Sequence, residues 1–124
     1  MPQTPEQIQE RLSTEKNIWL ASVRANGAPH LVPIWFVTHE GLIYICTDPE
    51  SVKVRNLRHS ERVALALEDG SKPIIFEGNA RIVPHEKTPA AIIPLFKQKY
   101  DWDITTDAKY SLVIEVKPKK TMTW

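Results

Sequence analysis

Residues 30–37 leave a chain of this size few ways to fold. They read His-Leu-Val-Pro-Ile-Trp-Phe-Val, nearly continuous in apolar content. A strand with one wet face alternates apolar and polar residues, whereas a continuous apolar strand is buried on both faces. In a chain of 124 residues the second face must meet a barrel wall, a ligand or a partner subunit. Pro33 has no N–H for a strand ladder, so it marks a bulge, an edge or a gap where a ligand approaches.

The flanking segments predict more strands joined by tight turns. Residues 18–24 form a strand, and Asn26-Gly27 turns it into the run 30–37 as a hairpin, because both residues tolerate positive φ. Glu40-Gly41 makes the next turn, followed by strands at 42–47, 62–68, 73–83 and 110–116. Gly78 inside the longest of these predicts a bend or a bulge. Pro118 is expected to stop the last strand and leave 119–124 as a tail. Thr4, Pro5 and Gln7 carry the marks of a capped helix start, which places a helix at 4–13. Residues 86–99 have helical spacing, with Pro94 kinking or splitting the helix. Residues 100–107 form a loop or a short helical turn. The sum is a mainly β fold: one domain, 1–124, built as a six-stranded antiparallel barrel with a few helices.

Composition narrows the function classes. Net charge is +1, so any basic patch is local, and general binding of nucleic acid is not expected. The single cysteine, Cys46, excludes an internal disulfide and a Cys-based zinc site in one chain. His39, His59 and His85 show no ligand spacing, and no metal is expected. Residues 1–13 are polar and lack the apolar centre of a signal peptide, and no membrane span is visible. The expected location is the cytoplasm.

The most unusual local chemistry lies in residues 47–57. A strand ends at Thr47, Asp48-Pro49 breaks it, and Ser51 is placed to cap a short helix. Lys53, Arg55, Asn56 and Arg58 crowd the first two turns. Bases at a helix start oppose the backbone dipole. An anion held by free N–H groups and cationic side chains accounts for them, and so does a solvated basic face.

Several stretches together carry a resemblance. They are 19–24 (Trp-Leu-Ala-Ser-Val-Arg), 26–36, 43–47 (Ile-Tyr-Ile-Cys-Thr), 51–57 (Ser-Val-Lys-Val-Arg-Asn-Leu), 62–65 and 76–80. In order and spacing the chain resembles the pyridoxamine 5′-phosphate oxidase-related split-barrel family over about residues 15–118. The resemblance implies a split β-barrel that pairs as a homodimer, with flavin sites in the clefts between subunits. Val32, Pro33, Ile34 and Trp35 would lie along the flavin ring. Thr47 and Ser51 would bond ribityl or phosphate oxygens, and Lys53, with Asn56 and Arg55, would hold the phosphate. Trp124 either reaches the partner's site or frays. The implied cofactor is FMN, with the deazaflavin F420 as the alternative, and the implied activity is a flavin-dependent oxidoreduction of a small molecule. No second basic cluster is present for a substrate phosphate, which speaks against vitamin B6 oxidation. A non-catalytic flavin- or haem-binding module is the competing class, since one fold hosts both.

Overall fold

The computed structural model describes residues 2–124. Helix α1 spans Pro5–Thr14 and opens with the predicted capping box, Thr4 Oγ1 accepting from Gln7 N–H and Gln7 Oε1 from Thr4 N–H. The strands are β1 (Ile18–Val23), β2 (Pro29–Ile34), β3 (Val37–His39), β4 (Leu42–Thr47), β5 (Arg62–Leu67), β6 (Ile74–Val83) and β7 (Leu112–Thr123). Helix α2 (Val52–Leu57) lies between β4 and β5, and α3 (Ile92–Tyr100) lies between β6 and β7.

All strands belong to one antiparallel sheet in the order β2-β1-β5-β6-β7-β4-β3. The predicted strand 30–37 is in fact two strands, which is why the sheet has seven and not six. They form opposite edges of the sheet, separated in sequence only by Trp35 and Phe36. Three backbone steps span at most about 11 Å. The sheet must therefore curl until its edges nearly meet, giving an incompletely closed half-barrel. Phe36 cannot join a ladder there, and α3 supplies its partners. Its N–H donates to Tyr100 Oη at 2.9 Å, and its carbonyl accepts from Lys99 Nζ at 3.0 Å.

The tail is a second correction. Residues 119–123 continue β7 past Pro118, because a bulge absorbs the proline. Gly78 pairs with Pro118 and Glu77 with Lys120, leaving Lys119 without a partner. A Cβ on Gly78 would stand 2.2 Å from the Lys117 carbonyl oxygen, so only glycine fits this approach. The long helix predicted over 86–99 is split, as its prolines required. A single 3₁₀ turn (His85–Lys87) precedes α3, and Pro94 sits in the first turn of α3, where no intrahelical donor is needed.

Two cores result. The inner one fills the curl with Ile18, Leu20, Phe36, Ile45, Leu65, Ile114 and Val116, closed by Leu12 of α1 and Val54 of α2. The outer one lies beneath α3, where Phe96 and Ile92 pack on Val37, Tyr44, Val83 and Val113. Strand β4 and the first half of β7 are thus covered on both faces. The outer face of β2, β1 and β5 has no such cover. One row across five strands, Pro33, Trp19, Ala66, Ile75 and Met122, is entirely apolar. Beside it Leu31 is 61% exposed.

Candidate functional site

A cavity of about 470 Å³ opens where the end of β2 meets the end of β4. Pro33, Ile34 and Trp35 form one wall. Thr47 and Lys53 form the polar end, and Cys46, Trp102 and Tyr110 complete the lining.

Lys53 is half-buried at the start of α2 and takes part in no ion pair among the described residues. Burial lowers its pKa, and the attraction of Asp48 only partly opposes this. An ammonium in that position gains from an anionic partner. Next to it Thr47, 2% exposed, places its hydroxyl oxygen 3.5 Å from that of Ser51. Ser51 holds the N-cap position of α2 but makes no capping bond with its side chain. Its hydroxyl is left for Thr47 or a ligand.

The aromatic wall is braced from behind. Trp35 stacks on Tyr100 with ring centroids 4.4 Å apart and planes 9° from parallel. Trp102 meets Trp35, Phe96 and Tyr110 edge-on. Its indole N–H donates to Asp107 Oδ2 at 3.0 Å, while Oδ1 accepts from the backbone N–H groups of Lys109 and Tyr110. These bonds hold the Asp107 carboxyl below its ordinary range, with the Tyr110 N–H the largest influence. Asp107 therefore organises the loop and is not a free base. Burial, with help from Asp107, pushes the Cys46 thiol up to about 12, so it is neutral and a poor nucleophile at physiological pH.

The predicted residues divide. Pro33, Ile34, Trp35, Thr47 and Lys53 converge on the cavity, and Ser51 adjoins it through Thr47. Val32 faces the inner core. Arg55 is exposed on the far side of α2. Asn56 is buried, and its side-chain amide donates to Ser22 Oγ at 3.0 Å, pinning α2 to β1. Trp124 is 66% exposed at the end of β7 remote from the cavity of its own chain. Sequence reasoning missed Trp102, Tyr110 and Asp107 as site residues. They sit in a segment without periodicity, and the only available signal was its density of aromatic residues.

A curled half-barrel with an aromatic slot that ends at the half-buried Lys53 has the architecture of a split barrel. The chain belongs to the pyridoxamine 5′-phosphate oxidase family, whose model matches residues 4–124. An F420 reductase structure is similar at 25% identity, covering 96% of this chain and 98% of that one, with a TM-score of 0.76. A conserved protein of Mycobacterium tuberculosis, Rv2991, is also 25% identical, with a TM-score of 0.78 over 98% of this chain and 84% of its own. HutZ, the haem storage protein of Vibrio cholerae, shares the fold at 18% identity, with a TM-score of 0.79 over 96% and 93% of the two chains. No curated protein matches the chain in sequence.

Proposed function

We propose that the chain is a flavin-type oxidoreductase that holds a phosphorylated tricyclic cofactor in this cavity, at the seam between two copies of itself. The observation that carries the reading is Lys53: a half-buried ammonium, without an ion pair among the described residues, at the polar end of an aromatic slot. The volume suits one drug-sized ligand. Trp35 and Ile34 would lie along the ring, Thr47 and Ser51 would bond the ribityl or phosphate oxygens, and Lys53 would bind the phosphate. Pro33 offers no N–H, so that edge of β2 presents an apolar surface to the ring.

A flavin bound here supplies the redox chemistry, exchanging a hydride or electrons with the substrate. The protein's part is to bind, orient and exclude water. That fits a cavity whose carboxylate is already fully bonded and whose thiol stays protonated. The open side of the slot, and the apolar row Pro33–Trp19–Ala66–Ile75–Met122 beside it, both call for a second wall. A symmetric second copy supplies it, burying the apolar outer face of β2, β1 and β5. In that arrangement Trp124 meets the partner's site, not its own.

FMN, with its compact phosphate, matches a seat built on one lysine. F420 is the second reading. One observation favours it: the 25% identity with an F420 reductase over nearly the whole of both chains. Haem is disfavoured by the lining, which contains no histidine and only a protonated cysteine. The absorption spectrum of freshly purified protein, followed by titration with FMN and with F420, decides among these. Binding of neither cofactor would end the proposal.

A further inference from the structure

His30 plays no part in the site so far. It faces the interior of the curl from β2, opposite Ser22 of β1. Ser22 is 2% exposed and is tied to Asn56 of α2, which lies one helical turn beyond Lys53 on the same face. His30 therefore points to the side of α2 that carries Lys53. Its Nδ1 is buried and has no hydrogen-bond partner among the described residues. Buried polar atoms are almost always paired, so an orphan calls for an explanation.

The surroundings supply one. The charges that act on His30 are Arg24, beyond the end of β1, and Lys53, on α2, and both are positive. The acid in this group, Asp48, acts on Lys53. Burial first, then Arg24, then Lys53 lowers the pKa of the imidazole, which is neutral in the free protein. An anion between these groups would turn mutual repulsion into attraction. The imidazole could then take up a proton and donate it in a charge-assisted hydrogen bond.

We propose that His30 is a proton-linked ligand of the phosphate group, sharing one seat with Lys53 and with Arg24 at its rim. The chemistry recognised is that of a phosphate ester, whichever ring carries it, so this inference rests on the cofactor reading above. Linkage sets the sign. The pKa of His30 is depressed in the free protein and raised in the bound one. Between those two midpoints binding takes up a proton, and affinity falls as pH rises.

The test is histidine-selective NMR on the full chain, with His30 assigned by loss of its signal in His30→Gln and inorganic phosphate as the probe. Saturating phosphate is expected to move the His30 midpoint up by about one pH unit or more, the effect of a nearby opposite charge. His39, His59 and His85 stay in place as internal controls. In parallel, the ratio of FMN to riboflavin affinity is measured between pH 8 and 6.5. It is expected to rise about two- to fourfold on acidification in the wild type, because the depressed free midpoint lets this window capture only part of the tenfold that a one-unit rise in the proton affinity of His30 permits, and not to rise in His30→Gln. Riboflavin binding by the variant shows that its slot is intact. FMN binding with an unmoved His30 midpoint, or a variant that keeps the pH-dependent ratio, overturns the role of His30 and leaves the cofactor reading standing. A His30 midpoint that moves with phosphate in a protein that binds neither FMN nor F420 supports the anion seat and removes the cofactor reading.

Discussion

The two halves of the outer sheet surface have similar apolar content and different fates. Over β4, β7 and part of β6, the chain provides its own cover: α3 buries Val37, Tyr44, Val83 and Val113 under Phe96 and Ile92. Over β2, β1 and β5 it provides none, and Leu31, Trp35 and Val23 remain 61%, 47% and 37% exposed. The candidate site lies at the boundary, with Trp35 braced by α3 on one side and open on the other. Apolar residues on a sheet's outer face thus do two jobs here. One set completes the fold of the chain, and the other is left for something outside it.

Substitutions that load each half separately test this division. Leu31→Arg should act on assembly alone. In a symmetric pair the charge enters the interface twice, and a buried unpaired charge costs about 3–5 kcal/mol per copy. Light scattering should report twice the 14.2 kDa chain mass for the wild type and the chain mass for the variant. The thermal midpoint of the dissociated chain should be kept. A wild type that is monomeric at all concentrations would remove the second copy from the site. Phe96→Ala should do the reverse, lowering the unfolding free energy by about 3–5 kcal/mol in chemical denaturation. If it left stability unchanged, α3 would not be the cover that its contacts describe. Lys53→Ala tests the boundary itself. Loss of a charged hydrogen bond should weaken cofactor binding by about 1.5–3 kcal/mol by titration, with mass and stability unaltered.

Sequence reasoning reached the strands, the turns and the polar end of the site because these depend on local chemistry. The capping box at Thr4 and Gln7, the Asn26-Gly27 turn and the Gly78 bulge each follow from the conformational needs of one or two residues. Lys53 stood out because a base at a helix start needs a reason. What escaped depended on contacts distant in sequence. The run 30–37 reads as one strand, and its break at Trp35 and Phe36 is set by Lys99 and Tyr100, more than sixty positions away. Burial on both faces was inferred for the run 30–37, whereas the strand that the chain itself covers on both sides is β4, with the first half of β7. For β2 the same signal described a face that the single chain leaves open. Trp102 and Tyr110 were missed for a related reason: Asp107, not periodicity, sets their orientation. The resemblance made Asn56 a phosphate ligand, while in the fold its buried amide donates to Ser22.

The smallest expected effect separates the seam from the slot. Tyr100 contributes a ring that stacks on Trp35 and a hydroxyl that serves the backbone where the sheet edges meet. That hydroxyl accepts from Phe36 N–H and lies 2.8 Å from the Lys16 carbonyl and 2.9 Å from that of Phe36, donating to one at a time. Burial raises its pKa to about 12, so it remains a donor through the neutral range. Tyr100→Phe keeps the stack and removes the bonds. Stability should fall by about 1 kcal/mol, the net worth of a neutral hydrogen bond. Cofactor affinity should hold, because Trp35 keeps its support. A loss of affinity larger than the loss of stability would mean that the slot depends on how tightly the two edges are drawn together. The boundary between the covered and bare halves would then be a working part of the site and not merely its location.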